Sequence, residues 1–160
     1  MSRAKIMILA GGTGGHVIPG LTIAKALEDA KCDITWIGTK GGIEEKLVPK
    51  ANIKIEYITV MGLRGKSLMN VLIAVKQLIR SIFQSINLLM KYRPDVVIGM
   101  GGYVSGPGGI AAFLLRYPLV IHEQNSVPGT TNKFLAKIAS SVLEAFPGSF
   151  RSNMNAKTIG

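Results

Sequence analysis

Short apolar runs alternate with longer stretches of helical pattern along most of the chain. The apolar runs predict six strands, at Lys5–Ala10, Ile34–Gly38, Ile53–Val60, Val96–Gly99, Leu119–Ile121 and Val142–Ala145. The segments between them predict five helices, at Pro19–Ala30, Ile43–Val48, Leu68–Tyr92, Gly108–Leu115 and Thr130–Ala139. Continuously apolar strands are typical of parallel sheets that are covered on both faces. Since strands separated by helices form βαβ units, we predict a doubly wound, Rossmann-like α/β domain with a parallel sheet.

The composition fits one globular domain. The 160 residues are 48% hydrophobic and 18% charged, which excludes a disordered chain. One cysteine and two histidines exclude a disulfide framework and leave little material for a metal site, so we expect no metal ligands. The apolar stretch from Leu68 onward contains Lys76 and Arg80, which argues against a bilayer-spanning helix. The first apolar run is too short for a signal peptide, and we expect a cytoplasmic protein.

The charge is strongly positive and unevenly placed. Nineteen basic and nine acidic residues give a net charge of +10. No acidic residue occurs between Glu56 and Asp95, where six cations fall: Arg64, Lys66, Lys76, Arg80, Lys91 and Arg93. This stretch indicates an anionic partner, which would be a nucleic acid, a phosphorylated ligand or an acidic lipid surface. A solvated basic face explains the same pattern equally well.

The first predicted strand is followed by a glycine-rich segment, Gly11–His16. Glycines let the backbone approach a ligand closely, and the amino end of the next helix offers free N–H groups to a phosphate. The segment departs from the dinucleotide-binding fingerprint, because the third glycine of that pattern would fall at Val17. A tight strand-to-helix turn is the structural alternative.

A second glycine-rich segment follows the fourth predicted strand. Six of the eleven residues from Gly99 to Gly109 are glycine. Ser105 is either a helix cap or a binding residue; it is not the nucleophile of an esterase elbow, because Tyr103 and Pro107 stand where that motif needs glycine. Loops that follow parallel strands open onto one crevice. Two glycine-rich loops there indicate a ligand with a diphosphate.

Polar residues also follow the fifth predicted strand, at His122-Glu123-Gln124-Asn125. A histidine beside a carboxylate suits general base chemistry, and amides suit the hydroxyls of a sugar. The structural alternative is that His122 and Glu123 satisfy buried amides of the loop.

The long predicted helix, Leu68–Tyr92, has an apolar arc wider than one buried face requires. Lys76 and Arg80 lie one turn apart on it, beside Ile73, Ile79 and Phe83. Cations that flank exposed apolar residues are typical of a helix resting on an anionic membrane. Packing on the sheet is the alternative explanation of the apolar face.

Four motifs in this order and spacing resemble the amino-terminal half of the MurG family of peptidoglycan glycosyltransferases. They are GGTGGHVIPGL, MGLRGK, GMGGYVSGPGG and HEQNSVPGTTN, and the resemblance runs from Lys5 to Gly148. It implies a GT-B glycosyltransferase, of which residues 1–160 would be the acceptor-binding, amino-terminal domain. The donor-binding, carboxyl-terminal domain would be absent from this chain. Residues 158–160 would then start a new strand, although a frayed terminus explains them as well.

The resemblance also implies roles for individual residues. Thr13, Gly14 and Gly15 would contact the donor sugar nucleotide, and Asn125 would bind its N-acetylglucosamine. His16 is the first candidate for the general base and Glu123 the second. The resemblance further implies Gly101, Gly102, Tyr103 and Ser105 around the acceptor diphosphate. From the residues themselves, we expect Arg64 to reach a phosphate, with a solvated loop charge as the equal alternative, and His122 and Gln124 to bind substrate within the polar cluster after the fifth strand. The expected membrane patch is Ile73, Lys76, Ile79, Arg80 and Phe83, with Tyr117 beside it.

The reaction implied is transfer of N-acetylglucosamine from UDP-GlcNAc to the C4 hydroxyl of lipid I, which gives lipid II with inversion. The resemblance places the enzyme on the inner face of the bacterial membrane, with no tightly bound cofactor and an open question about a divalent metal. Two alternatives stand beside it. An NADP-dependent oxidoreductase would use Lys40 for a 2′-phosphate, but its glycine fingerprint is broken. A basic nucleic-acid-binding domain would need aromatic residues clustered for stacking, which the sequence lacks.

Overall fold

The fold is a seven-stranded sheet flanked by helices. A computed structural model describes residues 3–60, 68–150 and 154–159, with the side chains of 68–71 excepted. The strands are β1 Lys5–Ala10, β2 Asp33–Gly38, β3 Lys54–Tyr57, β4 Val96–Gly101, β5 Leu119–Glu123, β6 Ser141–Glu144 and β7 Lys157–Thr158. The helices are α1 Gly14–Asp29, α2 Glu44–Lys50, α3 Leu68–Tyr92, α4 Gly102–Leu114 and α5 Thr130–Leu135.

The strands lie in the order β3-β2-β1-β4-β5-β6-β7, and every neighbouring pair is parallel. This confirms the predicted doubly wound α/β class. The chain winds outward in one direction from β1 to β3 and in the other from β4 to β7. Sheets of this kind bind ligands where the direction reverses, at the carboxyl ends of the strands. The crevice between β1 and β4 is therefore the expected ligand site.

Two hydrophobic clusters cover the two faces of the sheet. Alternate residues of β1 separate between them: Ile6 and Ile8 belong to one cluster, while Met7 and Leu9 belong to the other. This alternation follows from the two-residue period of a strand. Trp36 is fully buried, and its indole N–H donates to the main-chain oxygen of Ala10 at 2.8 Å. That bond satisfies the polar atom of the largest core side chain.

Two helices begin earlier than predicted. Helix α4 starts at Gly102 rather than Gly108, and α1 starts at Gly14 rather than Pro19. The glycines of α4 are packing positions: a Cβ added to Gly108 would lie 2.7 Å from Leu9, and one added to Gly109 would lie 2.7 Å from Leu135. Much of the second glycine-rich segment is therefore helix lying close against the sheet, not loop.

Smaller differences concern the ends of elements. The third strand and the last helix are shorter than predicted, and the chain forms a short seventh strand, Lys157–Thr158. Of the two alternatives left open for this segment, a new strand is the one observed. Helix α3 begins and ends at the predicted residues. Within the described ranges, no helix combines the length and apolar character needed to cross a bilayer.

Candidate active site

The carboxyl ends of β1 and β4 open onto a crevice of about 280 Å³. Its walls come from the loop after β1, the start of α4 and the start of α5. The lining residues are Gly11, Gly12, Thr13, His16, Gly101, Gly102, Tyr103, Gly129, Thr130, Thr131 and Asn132. The structure thus brings together five of the predicted site residues, Thr13, His16, Gly101, Gly102 and Tyr103.

The first wall is the amino end of α1. Thr13 occupies the cap position with an extended backbone and makes no side-chain cap bond. Its main-chain oxygen accepts from the N–H groups of His16 at 3.2 Å and Val17 at 3.1 Å. The earliest N–H groups of a helix have no partner within it and attract anions. Gly14 and Gly15 are the first two residues of this helix and lie in sequence between the lining residues Thr13 and His16.

The second wall depends on two glycines at the junction of β4 and α4. Gly101 and Gly102 have φ angles of +106° and +78°, a conformation that residues with a side chain rarely adopt. A Cβ on Gly101 would lie 2.9 Å from the ring of His16, and one on Gly102 would overlap the main-chain oxygen of Gly11. The two glycine-rich segments therefore touch. Tyr103 follows them at the rim, with 65% of its surface exposed.

Ser105 is fully buried inside α4. Its hydroxyl lies 2.8 Å from the main-chain oxygens of Leu9 and Gly101 and accepts from the N–H of Gly101 at 3.0 Å. Gly101, not Ser105, occupies the cap position of this helix. The arrangement gives Ser105 no direct contact with a ligand and makes it a tie between β1 and the start of α4.

Glu123 is also fully buried, and its carboxylate accepts four hydrogen bonds. Asn125 donates through its main-chain N–H at 3.0 Å and its side-chain amide at 2.8 Å. Gly129 donates its N–H at 3.1 Å, and the amide of Asn132 donates at 2.9 Å. This geometry does not favour Glu123 as the second candidate base, because its oxygens are enclosed and occupied. The structural alternative describes it: Glu123 holds the loop after β5.

Gln124 connects the loop after β5 with His16. Its side-chain nitrogen donates to the main-chain oxygen of Met100 at 2.8 Å and lies 2.6 Å from Nδ1 of His16. Its side-chain oxygen lies 3.4 Å from Nδ1 of His122, which is largely buried. Asn125 is exposed and is oriented by Glu123. Gln124 and His122 thus lie behind the wall, while Asn125 is available to a ligand.

Two site residues were not predicted. Glu44 is a fully buried acid of α2 that accepts from the N–H of Gly12 at 3.1 Å, the N–H of Thr39 at 2.9 Å and the hydroxyl of Thr39 at 2.7 Å. Asn132 lines the crevice, and its side-chain oxygen is buried without a partner. The sequence signal for Glu44 was an acid shortly after β2, where glycines leave space for it. Asn132 ends the motif HEQNSVPGTTN, but no role was predicted for it.

Helix α3 presents the predicted membrane residues to solvent. Ile73, Ile79 and Phe83 are 46%, 49% and 62% exposed, and Lys76 and Arg80 are exposed between them. Tyr117 does not join this surface, because it is half-buried and its hydroxyl donates to the main-chain oxygen of Leu89 at 3.3 Å. Arg64 lies outside the described residues.

One cation of the acid-free stretch is paired. Lys91 lies 2.9 Å from the carboxylate of Glu56. Hydrogen bonds to the carboxylate of Glu56 lower its pKa below the ordinary value; the bond from the Tyr92 hydroxyl has the larger effect and the bond from Lys91 the smaller. Across the described ranges, no group of three or more histidine, cysteine or acidic side chains is placed to hold a metal ion.

Comparison with known proteins gives consistent matches. The glycosyltransferase family 28 N-terminal domain matches residues 6–144. An N-acetylglucosamine transferase of Histophilus somni, named for transfer from UDP-N-acetylglucosamine to N-acetylmuramyl-(pentapeptide) pyrophosphoryl-undecaprenol, is 52% identical over 99% of this chain and 43% of its own length. A protein of the same name from Vibrio cholerae is 56% identical over 91% of this chain and 41% of its own length. The chain therefore spans less than half the length of these relatives.

Solved structures support the same family relationship. MurG of Acinetobacter baumannii superposes with a TM-score of 0.86 at 40% identity, covering 98% of this chain and 44% of that one. The Streptomyces glycosyltransferase SsfS6 shares the fold, with a TM-score of 0.68 at 14% identity over 96% of this chain and 53% of its own. These neighbours confirm the predicted GT-B fold class and favour neither the oxidoreductase nor the nucleic-acid-binding alternative. The chain belongs to glycosyltransferase family 28 and matches its amino-terminal domain.

Proposed function

We propose that this chain is the acceptor-binding part of an inverting N-acetylglucosaminyltransferase that converts lipid I to lipid II. The donor is UDP-GlcNAc, and the acceptor is undecaprenyl diphosphate carrying N-acetylmuramyl-pentapeptide. The relatives' names carry the choice of substrates. The close approach of Gly102 to the main-chain oxygen of Gly11 supports the choice of this crevice as the site, because it brings the two glycine-rich segments together there.

The acceptor diphosphate is proposed to lie at the amino end of α1. The resemblance implied donor contacts for Gly14 and Gly15, but their free N–H groups and the positive end of the helix dipole would equally favour the acceptor's anion there. Gly101 and Gly102 bring backbone close to the same point, and Tyr103 stands at the rim.

The donor sugar is proposed to reach the crevice from the opposite side. Thr13 lines the crevice. Asn125 is exposed in the loop after β5, and an oriented amide suits the hydroxyls and acetamido group of N-acetylglucosamine. The rest of the donor would be held by a domain that corresponds to the remaining length of the relatives. We therefore expect the 160 residues alone to bind the acceptor but not to catalyse transfer.

The proposed chemistry is a single displacement at the anomeric carbon. The C4 hydroxyl oxygen of the acceptor forms the new bond, the bond to the UDP oxygen breaks, and UDP leaves with that electron pair. The hydroxyl proton departs to a basic group. This reaction needs no tightly bound cofactor; dependence on a divalent ion is decided by assay with and without a chelator.

Membrane contact is proposed to place the crevice beside its lipid substrate. Phe83 and its exposed neighbours on α3 would enter the interface, and Lys76 and Arg80 would contact anionic headgroups. The enzyme would then work at the cytoplasmic face of the inner membrane, where this lipid-linked acceptor lies.

The proposal is tested with the complete gene product that contains these residues. Lipid I and UDP-GlcNAc are supplied in detergent, and lipid II is detected by mass. We expect addition of one N-acetylhexosamine with a β linkage, lost when UDP-GlcNAc is replaced by UDP-glucose. Failure to modify lipid I, with another acceptor glycosylated instead, would contradict the assignment of the acceptor.

A further inference from the structure

We infer that His16 serves the crevice as a hydrogen-bond donor through Nε2–H, and that Gln124 is the positioning residue that fixes this tautomer. The inference rests on the proposed function for its substrate, and on the contacts of Gln124 for its chemistry. It replaces the role of general base that the sequence predicted for His16.

The orientation of the Gln124 amide follows from its partners. Its side-chain nitrogen lies 2.8 Å from the main-chain oxygen of Met100, which can only accept. This end of the amide is therefore the NH₂ group. The other end, the oxygen, lies 3.4 Å from Nδ1 of His122. The carbonyl of Met100 is the partner that determines the orientation of the amide.

This orientation determines where His16 carries its proton. The NH₂ group of Gln124 lies 2.6 Å from Nδ1 of His16, so Nδ1 has to accept. A proton on Nδ1 would set two donors against each other at this distance. The ring proton therefore lies on Nε2, because a neutral imidazole has one donor and one acceptor nitrogen. A base acting through Nε2 would need the opposite tautomer.

The surroundings of the ring suit a donor. His16 lies in the first turn of α1, where the helix dipole and the unpaired N–H groups favour an anion. Gly101 leaves room for the ring, since a Cβ there would lie 2.9 Å from Nδ1. An N–H group in this place is suited to an anionic oxygen, such as that of a diphosphate.

Nuclear magnetic resonance tests the tautomer directly. The 160-residue chain has two histidines, which a His122→Gln variant distinguishes in a long-range nitrogen-15 spectrum. We expect the proton of His16 on Nε2, and a mixture of tautomers in Gln124→Met. Gln84→Met, at a glutamine that bonds the main-chain N–H of Thr59, is the matched control and should leave His16 unchanged. A proton on Nδ1, or an unaltered tautomer in Gln124→Met, would overturn the inference.

Kinetics of the complete gene product test the role. Glutamine keeps an N–H donor near the position of Nε2 but cannot act as a base. We expect His16→Ala to lower kcat/KM for lipid I by about 10–100-fold, as loss of a hydrogen bond to a charged group does, and His16→Gln to stay within about tenfold of wild type. If His16→Gln is as impaired as His16→Ala while folded, the donor role is wrong. Absence of transfer in the wild type would count against the proposed function instead, and the tautomer would still be decided by resonance.

Discussion

The carboxylate of Glu44 accepts a hydrogen bond from the main-chain N–H of Gly12 at 3.1 Å. The same carboxylate accepts two bonds from Thr39. A Cβ on Gly38 would lie 2.7 Å from Glu44, and one on Gly11 or Gly42 would lie closer still. One buried acid thus joins the loop after β1 to the loop after β2, and the glycines around it leave the space that it fills.

Glu44→Gln should destabilise the domain although it keeps the side chain's shape. The new NH₂ group would face an N–H or O–H donor, so at least one hydrogen bond is lost in a buried place. We expect the free energy of unfolding to fall by about 1–3 kcal/mol, measured by urea titration. Glu45→Gln is the matched control, because Glu45 accepts one exposed bond from Gly41. Equal losses of unfolding free energy in both variants would show that the buried hydrogen bonds of Glu44 add no particular stability.

Gly102→Ala should impair the crevice. Its φ of +78° disfavours a side chain, and the added Cβ would overlap the main-chain oxygen of Gly11. We expect a loss of stability of about 1–3 kcal/mol together with weaker acceptor binding. Gly106→Ala, in the same helix, is the control: its Cβ would lie 3.7 Å from Thr131, and helix propensity favours alanine by about 1 kcal/mol. A Gly102→Ala variant with normal stability and normal acceptor binding would refute the close approach.

Membrane contact should depend on the exposed apolar residues of α3. The double variant Ile79→Glu, Phe83→Glu places two carboxylates where an interface is proposed, and we expect weaker co-sedimentation with anionic vesicles. Ile18→Glu is the control, because Ile18 is a similarly exposed isoleucine on α1. Unchanged binding of the double variant, or equal loss in the control, would remove α3 as the membrane surface.

The stability of the domain should fall in acid partly through Glu144. Hydrogen bonds from the main-chain N–H groups of Phe150, which has the larger effect, and of Gly148 lower the pKa of the Glu144 carboxyl below its ordinary value of 4.5. A lowered pKa in the folded state stabilises the fold above the ordinary value, and this contribution is lost as pH falls through the folded pKa. Between about pH 6 and pH 3, the free energy of unfolding should therefore drop less steeply in Glu144→Gln than in wild type. Glu28→Gln, on the surface of α1, should follow wild type; parallel curves for all three proteins would contradict the prediction.

Most of the fold could be predicted because its signals are local. The apolar run of β1 and the long pattern of α3 end where the observed elements end. The start of α4 could not be predicted in this way, since a run of glycines is typical of a loop. Only the contacts of Gly108 with Leu9 and of Gly109 with Leu135 explain a glycine-rich helix, and those partners lie far away in sequence.

In the candidate site too, the features with local signals could be predicted, and those that depend on distant residues could not. His16 and Gly101 could be expected at one crevice, because both lie at the carboxyl end of a parallel strand. The role of Glu123 could not be decided, because its burial depends on donors that come later in the chain, from Gly129 and Asn132. Glu44 was missed because its partner Gly12 lies 32 residues earlier.

Binding of lipid I at the crevice is the most direct test of the proposed function. The nitrogen-15-labelled chain would be titrated with lipid I in detergent, with undecaprenyl phosphate as the control lipid, and the amide signals followed. We expect saturable shifts at Gly14, Gly15, Gly101 and Gly102 with lipid I alone, abolished by Gly102→Ala. Shifts confined to α3, or the same shifts with both lipids, would contradict an acceptor diphosphate at the amino end of α1.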